Sequence, residues 1–560
     1  MSLRSWTKFF PPYPGPATPA AFRLVCAAVS GAALSLSYTG YFFSIYSWLC
    51  VGLLLIVILD ARPRIAFSCG FVHTLLFVFT SVPWIATVLA VHGGLSRLGG
   101  WGILFLIAVV MGTLTGSFAW CVRSIAQRSL VLACLAVPFL WVTFEFILAH
   151  LPEISFPWNL LGYPASANLA LLQLTTITGI WGLSFLVAAF NALIAWTVMA
   201  PAPRPNVRVT LLAAAAVLIL SIMAIGPRFI PQTSAHHFAR AVQPNFPEAM
   251  DYPSNWFQTH TSDLDQIEEL SLAPSNHHVD LLVWPEAPAP FSFEDAQFAR
   301  RASQLAIRFQ HPFLAGTIEW EPAPEAATSA HAVLAPYNSA ILIDPQGQKS
   351  FSYDKIHLVP FGEYEPFPLI HRVVASFSDE VGGFRKGHDY SVAHLPGGYT
   401  FGTFICYEAI YPGEVRHFAA KGADLLINIS NDGWFGRSAA PEQHLLMARV
   451  RAVENRRWLL RVTNNGFTAS VDPYGRIFRP LPPDVRAAVD LPYDFRTDET
   501  IYTRFGDWFP WLCVIVSVIL LASTFWKGNT AREELLMPVE EIPPSLVGAR
   551  FSALAPEEKS

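Results

Sequence analysis

Residues 404–412 read FICYEAIYP, which sets one cysteine, Cys406, at the end of a short apolar run with Tyr407 and Glu408 directly behind it. A run of this kind is what a strand covered on both faces looks like. Similar runs lie on either side of it in the chain: HFARAVQPN, VDLLVWPE, HPFLAGTIEW and NSAILIDPQG before, ADLLINISND, WLLRVTNNG and FTASVDPYG after. Helical patterns fall between them at 256–272, 293–309, 411–421 and 441–457. Strands alternating with helices predict an α/β layered sandwich over residues 229–507.

Outside that stretch the composition changes. The chain is 52% hydrophobic and only 14% charged, against about 25% charged in an ordinary soluble domain. A membrane helix needs about 20 mainly apolar residues. Eight segments qualify, at 19–38, 42–60, 66–91, 101–122, 129–149, 170–200, 209–226 and 508–526. The first lacks a small-residue cleavage site and is followed at once by further spans, so it reads as an anchor and not as a cleaved signal. A formal net charge of −5 without any basic block argues against a nucleic-acid partner.

Positive residues mark the cytoplasmic side of a span. Arg4 and Lys8 precede the first span; Arg62 and Arg64 follow the second, Arg123 and Arg128 the fourth, Arg204 and Arg208 the sixth, and Lys527 and Arg532 the last. The opposite loops carry Arg97 and little else before Arg228. Both termini are therefore expected in the cytoplasm. Residues 1–228 form seven transmembrane helices, 229–507 a domain on the outer face, 508–526 an eighth span, and 527–560 a polar tail expected to be disordered. In a bacterium this is the inner membrane with the domain in the periplasm.

Cys406 is the one cysteine of seven outside the apolar spans. The other six read as small buried hydrophobes. No CxxC is present, so neither a zinc site nor a dithiol motif is indicated. An unpartnered thiol in an oxidising compartment points to a reactive group. Two further polar sites fall at strand ends. LVWPEAPAP carries Glu286, and SYDKIHLVPFGEYEP carries Lys355 and then Glu363. Strand ends can bring distant sequence into one cleft. There a carboxylate can take a thiol's proton during attack, and an ammonium can stabilise the oxyanion that attack creates.

The trio WPE, DKIHLVPFGEY and CYE, with FPWNLLGY at 156–163, NISNDGWFG at 428–436 and RVTNNGFTASVDPYGR at 461–476, resembles the nitrilase superfamily. The eight spans, with the domain inserted before the last, are similar to its membrane branch, the apolipoprotein N-acyltransferases. The resemblance implies an α-β-β-α sandwich with Cys406 as nucleophile, Glu286 as general base and Lys355 as the stabilising cation. It gives supporting roles to Glu363, Tyr407 and Glu408, and makes Trp256 and Trp434 candidates for substrate contact. It further implies a thioester route. An acyl chain of a phospholipid, with phosphatidylethanolamine the expected donor, passes through Cys406 to the α-amino group of a diacylglyceryl-modified N-terminal cysteine on an apolipoprotein. No metal or other cofactor is implied, and the chain is expected to act as a monomer at the bilayer.

Each of these residues also has an ordinary reading. Cys406 could be a buried strand residue, Lys355 a solvated loop lysine, Glu286 a cap beside Pro285; only the trio together outweighs this. His357 lies close enough to Lys355 in sequence to suggest a Cys–His pair. Glu145 stands within an expected span, where an acid is a functional candidate by default. Gly112 and Gly116 form a GxxxG that reads as helix packing. Two other functions use the same residues differently: a membrane-tethered amidase with water as acceptor, and a catalytically silent membrane scaffold. A transporter is disfavoured by the scarcity of ionisable residues in the spans.

Overall fold

The continuous apolar runs become strands with helices outside them. In this computed structural model, which describes residues 18–93, 95–152, 155–200, 205–247, 255–322, 334–364 and 383–536, the outer domain has twelve strands among the described residues. They are β1 (His237–Gln243), β2 (Leu281–Val283), β3 (Phe313–Pro322), β4 (Leu334–Ile343), β5 (Lys349–Asp354), β6 (Val392–His394), β7 (Thr400–Ile405), β8 (Leu425–Ser430), β9 (Trp458–Thr463), β10 (Thr468–Val471), β11 (Ile477–Leu481) and β12 (Ala487–Tyr493). They form two six-stranded sheets, ordered β12-β1-β2-β3-β4-β5 and β11-β10-β9-β8-β7-β6. β1, β2 and β3 run parallel in the first sheet, and β7, β8 and β9 in the second. The remaining pairs are antiparallel.

The sheets lie face to face, with β1 and β12 against β9 and β10, and β4 against β7. Helices Thr261–Leu272 and Ala296–Phe309 cover the first sheet, and Pro412–Ala420 and Ala440–Asn455 cover the second. The layers are thus α-β-β-α. Ala296–Phe309 shows why the sequence folds this way. The Asp295 side chain accepts the amides of Gln297 and Phe298, and the stripe Phe298, Ala302, Leu305 and Ala306 is buried.

Six helices among the described residues are long and apolar enough to cross a bilayer: Ala20–Tyr38, Pro63–Ser81, Arg97–Ala126, Leu130–Ala149, Trp181–Met199 and Asn206–Phe229. The apolar helix at 42–60 is shorter than that, Phe43–Ile58, and at 508–526 the apolar stretch Trp508–Thr524 is the first part of a longer helix. Two expected spans are broken. The run 66–91 stops at Ser81, because Pro83 cannot continue the hydrogen-bond ladder, and restarts as Trp84–Val91. The run 170–200 begins as two single turns and becomes a long helix only after Gly179, whose φ of +64° ends the first part. The last helix runs on to Leu536, beyond the expected end at 526, so the tail begins later than composition suggested. The rest of that tail, 537–560, lies outside the described residues. The GxxxG packs as expected: a Cβ on Gly116 would lie 2.9 Å from the Phe67 ring of the facing helix.

Candidate active site

Glu286, Cys406 and Asn431 all sit just past the carboxyl ends of parallel strands, where open α/β sheets place their ligands. Lys355 follows β5. Although their sequence positions are far apart, the structure brings Glu286, Lys355, Glu363 and Cys406 into one buried cluster. Lys355 Nζ lies 3.0 Å from Glu286 Oε1 and 2.9 Å from Glu363 Oε1. Asn338 Nδ2 donates to the same two oxygens, at 2.8 and 2.6 Å. Glu286 Oε2 accepts the Asn431 amide at 2.8 Å, and Glu363 Oε2 the Val359 amide at 2.7 Å. Both carboxylates are therefore held on all sides. Gly316 of β3 makes this possible, because a Cβ there would lie 2.3 Å from the Pro285 carbonyl oxygen and 2.6 Å from Glu286 Cα.

Cys406 has φ +49°, in the left-handed region. For a non-glycine residue this costs of order 1–3 kcal/mol, held in place by the surroundings. Its sulfur feels both charged neighbours. Burial pushes the thiol well above its ordinary range, the Glu286 charge pushes it further, and Lys355 opposes them. Two carboxylates and one ammonium leave a net negative site, which disfavours a resting thiolate. Burial by itself would weaken the Lys355 ammonium, but Glu286 and Glu363 outweigh that and hold its pKa well above the ordinary value. Burial and the Glu286 charge thus favour the thiol form of Cys406, beside the Lys355 ammonium.

Glu408 and Tyr407 face other tasks. The buried Glu408 carboxylate accepts the Ile405 amide, the Ile356 and His357 amides and the Tyr353 hydroxyl, joining the end of β7 to the loop of Lys355. Burial, then the Glu414 charge, push its pKa up to about 7. The Tyr407 and Tyr411 hydroxyls both donate to the Ser155 carbonyl in the loop after the helix Leu130–Ala149. His357 is engaged elsewhere: its Nδ1 meets Glu414 Oε1 at 2.8 Å and its ring stacks on Tyr411. Glu145 is a loop anchor. Its Oε1 accepts Trp141 Nε1 at 2.9 Å and the Leu161 amide at 2.7 Å, holding FPWNLLGY against the membrane helices.

The two tryptophans pack against other aromatic rings. Trp256 is buried among Phe246, Phe257 and Phe291 and stacks on His260. One route from its surroundings to the site is a run of hydrogen bonds: the Phe246 amide donates to Asn464, which donates to Asn431, whose amide donates to Glu286. Trp434 is half-buried, with its ring edge-on to His92 beside the membrane helices. No group of side chains suited to a metal ion occurs among the described residues.

Residues 239–492 match the carbon-nitrogen hydrolase family, and residues 30–193 match the apolipoprotein N-acyltransferase N-terminal domain. The apolipoprotein N-acyltransferase of Geobacter metallireducens is 33% identical over 515 residues, covering 90% of this chain and 95% of its own. The chain belongs to the apolipoprotein N-acyltransferase family. Another apolipoprotein N-acyltransferase, from Thermotoga maritima, is 27% identical over 90% of this chain and 94% of its own. Among solved structures, an amidase from Nesterenkonia sp. aligns with 47% of this chain and 93% of its own, at 21% identity and a TM-score of 0.34. As an apolipoprotein N-acyltransferase family member, the chain is an acyltransferase with a carbon-nitrogen hydrolase domain and membrane helices.

Sequence reasoning missed Asn338, Asn431, Asp432, His444 and Arg461. Asn338 sits in a strand, opposite the start of the Lys355 loop, where the Lys355 amide donates to its carbonyl at 2.8 Å. A polar residue in the buried β4 was the available signal. Asn431 and Asp432 lie inside the quoted NISNDGWFG, a motif read for its resemblance and not for its side chains.

Proposed function

We propose that this protein transfers an acyl chain from a membrane phospholipid to the N-terminal amine of a diacylglyceryl-modified apolipoprotein, through a thioester on Cys406. Glu286 takes the thiol proton as sulfur attacks the ester carbonyl. The oxyanion of the tetrahedral intermediate develops beside Lys355, which Glu363 keeps in place when Glu286 is protonated. Glu286 returns the proton to the departing alkoxide, and a lysophospholipid leaves. The α-amine of the acceptor then attacks the thioester and gives its proton to Glu286, and collapse restores the thiol and yields an amide. The donor is phosphatidylethanolamine and the working unit a monomer. Tyr407 and Glu408 shape the pocket and fix the loop behind it, and Trp256 and Trp434 contact substrate.

The observation that carries this reading is the Lys355 ammonium held between Glu286 and Glu363 at the strand ends that present Cys406. Both substrates are bilayer amphiphiles, which fits a site joined through Tyr407, Tyr411 and Ser155 to a loop of the membrane part. We assign the chain to the bacterial inner membrane, with eight spans, the catalytic domain in the periplasm and both termini in the cytoplasm. The arginine and lysine placement supports that orientation. Mass spectrometry of a lipoprotein N-terminus from cells depleted of the protein tests the function. Loss of the amide-linked chain is expected; an unchanged N-terminus with a soluble amide hydrolysed instead favours the water-accepting amidase.

A further inference from the structure

We infer that His444 is a positioning residue for Cys406 and that Arg461 fixes the tautomer that lets it act. The inference rests on Cys406 as the nucleophile and adds what holds that nucleophile in its unusual backbone conformation. His444 lies on the helix Ala440–Asn455 and is fully buried. Its Nε2 is 3.0 Å from the Cys406 carbonyl oxygen. A carbonyl only accepts, so this bond exists when Nε2 carries the proton.

The other ring nitrogen decides whether it does. His444 Nδ1 has Arg461 Nη2 at 3.1 Å and Asp432 Oδ1 at 3.1 Å. A guanidinium keeps its protons, so its N–H directed at Nδ1 requires a lone pair there, and the ring proton goes to Nε2. Asp432 is supplied with donors even without an imidazole N–H. Its Oδ1 accepts the Ser430 hydroxyl at 2.7 Å and its Oδ2 accepts Arg461 Nη2 at 2.6 Å. Arg461 is itself anchored by Asn428 at the centre of β8. A doubly protonated ring would set a second cation against Arg461 in a buried site. The ring plane is fixed by Trp158, tilted at 5.6 Å, and by Phe435, edge-on at 5.8 Å. Trp158 belongs to FPWNLLGY, so the membrane loop bears directly on the residue that grips the nucleophile's backbone. No proton passes through His444; it sets the direction of the Cys406 side chain by holding its carbonyl.

The test uses the full-length protein in lipid nanodiscs and follows single-turnover formation of the Cys406 adduct from labelled phosphatidylethanolamine. His444→Leu fills the space without a donor; His444→Gln returns an amide N–H near the Nε2 position. The acylation rate of His444→Leu should fall roughly tenfold to a hundredfold, the loss expected for one unmade buried bond, with the half-saturating donor concentration unchanged. His444→Gln should regain most of that rate. A wild-type rate in His444→Leu overturns the inference, as does an equal loss in both variants, which would mark a packing role. Should His444→Leu not fold, nitrogen NMR of histidine-labelled protein, with His444→Gln assigning the signal, reads the tautomer. Protonated Nε2 with bare Nδ1 is expected; the reverse, or protons on both, overturns it. Absence of any adduct in the wild type, or its persistence in Cys406→Ala, removes the nucleophile and this inference with it. A Cys406 adduct with normal His444→Leu kinetics removes only the inference.

Discussion

Glu408 Oε1 accepts the Ile356 amide at 2.7 Å, so the carboxylate two residues past the thiol holds the loop that carries Lys355. Its Oε2 holds the Ile405 amide at 2.6 Å. One side chain thereby sets the spacing between cation and nucleophile. With a folded pKa pushed from 4.5 to about 7, the native state keeps this proton to higher pH than the unfolded chain does. Stability therefore falls as pH rises across that window, by up to about 3 kcal/mol from this group. Glu408→Gln should flatten the decline in melting temperature between those limits. An unaltered slope would mean that Glu408 is already ionised below pH 5.

The Glu286 charge pushes the Cys406 pKa up, and in the proposed mechanism the same carboxylate takes the thiol proton. Removing the charge separates the two effects. In Glu286→Gln the pH profile of Cys406 alkylation should move to lower pH, while acylation from phospholipid drops by roughly 10²–10⁴-fold. Alkylation and acylation moving in the same direction would be incompatible with Glu286 as base.

Lys355 separates the buried Glu286 carboxylate from the partly buried one of Glu363. Lys355→Met leaves Glu286 and Glu363 facing each other, and breaking a buried pair in this way costs about 3–5 kcal/mol. Urea unfolding should show that loss, and adding Glu363→Gln should restore part of it. Neither variant should recover acyl transfer, since the cation beside the developing oxyanion is gone in both. Equal stability of the single and double variants would contradict the bridging arrangement.

At Gly316 the strand backbone touches the segment bearing Glu286. Gly316→Ala would place a methyl 2.6 Å from Glu286 Cα. The base must shift, so acylation should slow markedly while the protein still folds. A variant with full activity would show that the Glu286 position tolerates movement.

What the sequence disclosed follows from which strands are covered. The eight runs read in advance became β1–β4 and β7–β10, the inner strands of the two sheets. The four it missed, β5, β6, β11 and β12, are the four edges. Edge strands such as KSFSYD and IFRPL are largely open to solvent, so they lack the continuous apolar run that betrays a buried one. The same limit applied in the membrane part, where hydropathy joined helices that Pro83 and Gly179 divide. At the site, Glu286, Lys355 and Cys406 were legible because each carries chemistry just past a strand, and Glu363 was legible through the family resemblance of the segment after Lys355. Asn338, His444 and Arg461 were not, because their task is to orient other groups, and that depends on contacts between residues far apart in the chain.

The central claim is a covalent acyl intermediate on Cys406. Purified protein incubated with phosphatidylethanolamine labelled in its acyl chain, without any apolipoprotein, should gain one label that hydroxylamine removes and that Cys406→Ala lacks. An unlabelled wild-type protein, or a label that persists in Cys406→Ala, would contradict it.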